Sequence, residues 1–97
     1  MEVGDVRLDT VRHEVVIRGE SVFMPLKEFE LLAVFLANAG RVLPRHLLID
    51  RVWGATYYSD TRTLDVHVRR LRSKVEDDPG CPTRIVTVRG VGYGYEV

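Results

Sequence analysis

From Thr61 to Glu76 the chain reads TRTLDVHVRRLRSKVE, and its apolar positions Leu64, Val68, Leu71 and Val75 recur at i, i+4, i+7 and i+11. At 3.6 residues per turn these fall on one face, so the spacing predicts a helix over 61–76 docked by one side. Arg62, Val66, Arg69 and Ser73 lie on the opposite face, with Arg70 beside it and His67 and Arg72 on the flanks. One face packs; the other offers guanidiniums.

The first quarter of the chain has a different period. Val3 to Leu8, Glu14 to Arg18 and Ser21 to Met24 are short, β-branched or alternating, and are broken by Gly4-Asp5, Asp9-Thr10 and Arg18-Gly19-Glu20. They predict an antiparallel meander of three or four strands. Leu26 to Asn38 returns to a helical period, with Phe29, Leu32, Ala33 and Leu36 on one stripe and Leu31, Val34 and Phe35 on the other side. A helix apolar on two sides is buried on two sides, which places it between the meander and the helices that follow. It is expected to end at Gly40, a good residue just past a helix.

Arg41 to Leu43 fits a short strand, and Arg45 to Trp53 a second helix with Leu48, Ile49 and Val52 inward and Gly54 as its stop. Residues 55–60 form a loop with two adjacent tyrosines, and Asp60 or Thr61 can cap the third helix through a side-chain oxygen. Beyond Asp77-Asp78-Pro79-Gly80, the segments Arg84 to Val88 and Tyr93 to Val97 alternate around Arg89-Gly90-Val91-Gly92, which predicts a hairpin over 84–97. The fold class is therefore α+β: an N-terminal antiparallel sheet, three helices and a C-terminal β-hairpin. An Arg-faced third helix followed by a hairpin makes the parts of a winged helix-turn-helix.

Composition narrows the function. Ninety-seven residues suffice for one domain with a single modest core, so 1–97 is read as one unit. Formal net charge is zero, which argues against indiscriminate coating of nucleic acid. The balance hides a gradient: residues 1–30 carry four basic groups against seven acidic ones, a net of −3, and the remainder carries ten against seven, a net of +3. A focused basic patch can steer an anionic partner without overall charge. The lone Cys81 excludes an internal disulfide and any Cys-cluster zinc site, and fits a reducing, cytoplasmic setting. No apolar run approaches the ~18 residues of a membrane helix, and acidic residues follow Met1, so neither signal peptide nor membrane anchor is expected.

Catalysis finds no support in the pattern. His13, His46 and His67 share no metal-ligand spacing, Ser21, Ser59 and Ser73 have no motif context, and no cofactor is implied. Gly90, Gly92 and Gly94 spell G-x-G-x-G, yet a phosphate cradle needs a helix starting after the glycines, and only three residues follow Gly94. Glycines that permit positive φ in a tight hairpin account for them better.

The arginines remain. Their planar fork matches phosphate oxygens and the O6/N7 edge of guanine, whereas a merely soluble face would more often use Lys and Glu. Val66 sits among them, gaining nothing from water but able to pack on a thymine methyl. A solvated charged face is the plainer alternative. At the other end, only four residues separate Val88 from Tyr93, so the hairpin tip projects and carries Arg89 without a nearby acid in sequence.

Four segments, KEFELLAVFL (27–36), LLIDRVWG (47–54), RTLDVHVRRLRSKVE (62–76) and TVRGVGYGYEV (87–97), resemble the C-terminal DNA-binding domain of OmpR/PhoB-type response regulators. The resemblance covers nearly the whole chain, with the motifs in the family's order. It implies sequence-specific binding of double-stranded DNA as the output half of a two-component transcription regulator, with the third helix in the major groove. Arg70 and Val66 would meet base edges, Arg62, His67 and Arg72 would hold phosphates, and Arg69 could do either. His67 has a competing role as a packed flank histidine, and Trp53, a DNA-backbone contact by resemblance, could equally serve the core alone. Thr87 joins the DNA-binding set, and Arg89 would enter the minor groove.

The same resemblance implies head-to-tail pairing on directly repeated half-sites and a contact between the 54–60 loop, with Tyr57 and Tyr58, and RNA polymerase. It also implies a phosphorylated receiver domain and a sensor histidine kinase, neither of which these residues encode, so a piece of a longer protein is expected. Three positions depart from the pattern. Pro25 and Pro44 stand where relatives usually cap helices one and two with Ser or Thr, and Gly94 replaces a frequent Lys or Arg in the wing. A rival reading keeps the winged helix but uses the arginine face as a protein-interaction module for an acidic partner.

Overall fold

Val6 and Leu8 flank Arg7, and the alternation puts both apolar side chains wholly inside while Arg7 stays exposed. In the computed structural model, which describes residues 1–54 and 60–97, they belong to β2 (Val6–Asp9). It is preceded by β1 (Glu2–Val3) and followed by β3 (Glu14–Ile17) and β4 (Glu20–Ser21), in the spatial order β1-β2-β3-β4, all antiparallel. Val6 pairs with Ile17 and Leu8 with Val15, so the four buried side chains share one face of the sheet. The stretch from Val3 to Leu8 is two strands folded at Gly4-Asp5, and β4 stops at Ser21 instead of reaching Met24.

Helix α1 (Leu26–Ala37) buries Phe29, Leu31, Leu32, Phe35 and Leu36, apolar positions from both of its sides. It packs on α2 (Arg45–Trp53) and α3 (Arg62–Val75), and its Phe29 ring stacks on His13 of the β2-β3 turn at 3.8 Å between centroids. The expected central position of this helix is thus observed. Leu64, Val68, Leu71 and Val75 of α3 all enter the same core, each fully buried apolar side chain contributing about 1.5–3 kcal/mol before entropy is counted.

The C-terminal hairpin of β6 (Ile85–Val88) and β7 (Gly92–Tyr95) is part of a three-stranded sheet, ordered β5-β7-β6. The added strand is β5 (Val42–Pro44), which pairs Val42 with Gly94, Leu43 with Tyr93 and Pro44 with Gly92. The wing is therefore rooted between α1 and α2. Pro25 and Pro44 occupy the N-cap positions of α1 and α2, and neither supplies a capping side chain. At α2 the wing compensates, because the carbonyl of Val91 accepts the hydrogen bond of the first helical N–H, that of Arg45, at 3.1 Å.

The glycine run has two explanations. Gly90, at the turn, has φ +77°, as a tight hairpin requires. Gly92 and Gly94 do not share that conformation: a Cβ on Gly92 would stand 2.1 Å from the carbonyl oxygen of Leu43, and one on Gly94 3.1 Å from that of Arg41. Close approach of β5, not positive φ, corrects the expectation for these two.

Candidate nucleic-acid interface

Docking by the Leu64, Val68, Leu71 and Val75 stripe turns Arg62, Val66, Arg69, Arg70 and Ser73 of α3 to solvent. Among the described residues Arg69 and Arg70 engage no side chain in a hydrogen bond or ion pair, and Val66 beside them is 36% exposed. At the start of the helix the cap falls to Asp60, whose carboxylate accepts the N–H of Arg62 at 2.9 Å, while Thr61 makes no side-chain cap. The same carboxylate grips the Arg62 guanidinium at 2.8–3.1 Å, and that hydrogen bond holds the Asp60 carboxyl below its ordinary pKa. A phosphate that recruits Arg62 must displace this exposed pair, which is a small penalty.

On one flank of α3, the His67 ring meets Trp53 edge to face, 5.0 Å between centroids. His67 Nδ1 lies 2.8 Å from the carbonyl of Thr63, an acceptor, so Nδ1 carries the proton. Both rings are only partly exposed. Packing holds them in place along the edge of the arginine face.

The other flank carries a network that the pattern of residues did not single out. Asp65 Oδ1 accepts from Arg45 Nη1 at 2.6 Å and from the Tyr93 hydroxyl, and Oδ2 lies 3.2 Å from Arg45 Nη2. Arg45 also donates to the carbonyl of Thr61 at 3.1 Å. The hydrogen bond from Arg45 lowers the Asp65 pKa, and burial raises that of the Tyr93 hydroxyl, so the carboxylate stays ionised and the phenol stays protonated. Arg72, expected at a phosphate, turns to the wing: Nε and Nη2 reach the carbonyl of Ile85 at 3.0 and 2.8 Å, and Nη2 reaches Thr87 Oγ1 at 2.9 Å. Its guanidinium lies 5.6 Å above the centre of the Tyr93 ring. Asp65 and Arg72 are seven residues apart and so share a flank of the helix, the one sequence signal that could have paired them.

Beyond Arg72, Glu76 is 3% exposed and accepts the backbone N–H groups of Thr83, Arg84 and Ile85 at 2.8–3.1 Å, fixing the path from α3 into β6. The wing then rises with Thr87 exposed on β6 and Arg89 at the tip beside Gly90 and a half-exposed Val91. No described residue pairs with the Arg89 guanidinium. Tyr57 and Tyr58 lie outside the described residues. Among the described residues, no helix is long and apolar enough to cross a membrane, and no cluster of His, Cys, Asp and Glu could hold a metal ion.

An arginine-faced helix latched to a projecting hairpin has close counterparts. The family described as "Transcriptional regulatory protein, C terminal" matches residues 19–95. The chain belongs to this family, in its OmpR/PhoB branch. It is 59% identical over 96 residues to the sensory transduction protein RegX3 of Mycolicibacterium smegmatis, covering 99% of this chain and 42% of the relative. Similar OmpR/PhoB structures include the response regulator DrrB of Thermotoga maritima, with TM-score 0.89, 34% identity, and 100% and 44% coverage of this chain and that one. The Klebsiella pneumoniae RstA DNA-binding domain, solved in complex with the RstA box, has TM-score 0.88 at 33% identity, covering 99% and 95%. The chain thus spans about two fifths of the length of the curated relatives it matches.

Proposed function

We propose that this chain reads duplex DNA as the output domain of a two-component transcription regulator, with α3 in the major groove and the wing at the minor groove. The carrying observation is the α3 surface: Arg69 and Arg70, without side-chain partners among the described residues, flank an exposed Val66, on a helix whose other side is locked in the core. Side chains so placed suit base edges, where arginine reads guanine bidentately and valine packs on thymine. Arg62 and His67 border this face and serve phosphates; Trp53 supports His67 and the core. Arg72 acts first on the wing, through Thr87 and Ile85, and contributes positive potential from behind. RstA, solved with its DNA box, supports this reading over an acidic protein partner.

On this reading the parent protein carries a receiver domain served by a sensor histidine kinase, pairs head to tail on directly repeated half-sites, and contacts RNA polymerase through the 54–60 loop with Tyr57 and Tyr58. The lengths of the relatives leave room for the receiver domain. Steep loss of affinity with salt, together with a preferred base sequence, distinguishes DNA reading from capture of an acidic protein.

The direct test is selection of sites from random duplex DNA by the parent and by Arg70→Ala. The substitution is expected to weaken binding and to relax choice at one or two base pairs, a bidentate arginine contact being worth about 1–3 kcal/mol of discrimination. Unchanged base preferences would remove Arg70 from the reading surface. At the wing, Arg89→Ala is expected to weaken binding most on sites with an A·T-rich flank, where the narrow minor groove attracts a guanidinium. Equal losses on A·T-rich and G·C-rich flanks would mark a plain phosphate contact instead.

A further inference from the structure

Where α3 ends, the Glu76 carboxylate and the Val75 carbonyl hold residues 83–85 at the foot of β6. Above that foot two side-chain ties join α3 to the wing, and both leave the helix from the flank between its buried and its exposed faces. The first runs from Asp65 to the Tyr93 hydroxyl on β7, braced by Arg45 at 2.6 Å. The second runs from Arg72 to the carbonyl of Ile85 and the hydroxyl of Thr87 on β6, at 2.8 and 2.9 Å. Seven residues separate the two anchor points on the helix, about 10 Å along its axis. The foot with one tie above it leaves a hinge line, about which the hairpin can swing. Two ties that far apart, ending on adjacent strands of one sheet, fix both the angle and the offset.

Neither anchor faces outward as the reading side chains do. Asp65 is acidic and would repel phosphate if it stood free, but Arg45 and Tyr93 occupy its oxygens. Arg72 directs its donors inward although it sits in the most basic stretch of the chain. Two side chains that could have repelled or bound DNA instead hold one part of the domain at a set distance from another.

We propose that the Asp65–Tyr93 and Arg72–Thr87 ties act as a spacing gauge, making the domain selective for the number of base pairs between the major-groove site of α3 and the minor-groove site of the wing. Asp65, Tyr93 and Arg72 are then positioning residues that determine specificity at bases none of them touches. The inference rests on the assignment of α3 and the wing to adjacent grooves. One inserted base pair moves the flank by about 3.4 Å and rotates it by roughly a tenth of a turn, more than a doubly tied hairpin can follow.

The test uses the duplex that the chain selects from a random pool, with its A·T-rich flank, and a second duplex with one base pair inserted between core and flank. Affinities of the parent, Tyr93→Phe and Arg72→Met for both duplexes are measured by fluorescence anisotropy, after thermal unfolding shows each variant folded at the assay temperature. The parent is expected to bind the inserted duplex about tenfold more weakly, the loss of one good groove contact. For each variant the ratio should fall below about threefold, because releasing either tie leaves β6 and the tip held only at the foot, through β7 and by the other tie, loose enough to follow the displaced flank. Tyr93→Phe keeps the ring and removes only the hydroxyl, so a folding failure at Arg72→Met leaves this arm intact. Variants that weaken on both duplexes yet keep the parent's ratio would overturn the gauge and leave the groove assignment standing. A parent that binds its selected site but ignores the insertion would overturn the wing's minor-groove role, and the gauge with it.

Discussion

Gly92→Ala is expected to be the most damaging single methyl that could be added to this domain. Its Cβ would stand 2.1 Å from the Leu43 carbonyl oxygen and 3.0 Å from the Arg45 nitrogen. Both are backbone atoms, so no side-chain rotation relieves the clash. Either β5 parts from β7, losing the pairs Leu43 with Tyr93 and Pro44 with Gly92, or the start of α2 moves. The expected loss is about 3 kcal/mol or more, which for a domain of this size lowers the melting temperature by roughly 12–24 °C in a circular dichroism melt. Gly90→Ala provides the contrast. It has φ +77° and nothing within 4 Å of the added methyl, so it should cost only the ~1–2 kcal/mol of a left-handed alanine. If both substitutions had the same effect, crowding by β5 would not be the reason for glycine at 92.

Glu76→Ala is expected to be nearly as severe for a different reason. The carboxylate is 3% exposed and accepts the N–H groups of Thr83, Arg84 and Ile85 within 3.1 Å. Alanine would leave three donors without their acceptor, each costing about 1–3 kcal/mol if it stays dry. Thr83 is exposed and can be rehydrated, so the two remaining donors bring the expected total to about 2–6 kcal/mol. Amide hydrogen exchange provides a local check, since the amides of residues 83–85 should lose protection well before those of α1. A melting temperature within a few degrees of the parent's would mean that water replaces the carboxylate without penalty.

Periodicity made the helices legible. The bounds Arg45 to Trp53 hold to the residue, and α3 is one residue shorter at each end than the amphipathic pattern. Each apolar stripe acts within its own segment, so local spacing suffices. The partnership of Val42 with Gly94 is another matter: it joins residues 52 positions apart, and nothing in either tripeptide specifies the other. That is why a short strand and a terminal hairpin are legible separately and not as one sheet. Arg69, Arg70 and Arg89 emerge exposed as expected, because a guanidinium opposite a buried stripe or at a turn tip has nowhere else to go. Arg72 differed because its partners are a carbonyl and a hydroxyl on another element. Asp65, Glu76 and the buried Glu28, paired with Lys74, are illegible in the sequence for the same reason: an acid reads as solvated until its distant partner is in place.

The pairing of β5 with β7 also orders events in time. A chain leaves the ribosome from its N-terminus, and α1, α2 and α3 have all been made before residues 92–95 appear. Until then Val42 to Pro44 lack their partner strand, the Arg45 N–H lacks the Val91 carbonyl and Asp65 lacks the Tyr93 hydroxyl. Closing a loop of that length carries most of its entropic penalty before the last strand brings any return. A nascent chain halted before Gly92 would therefore hold its arginine-rich helix without the scaffold that orients it, and the helix gains its set orientation only once residues 92–95 have been made.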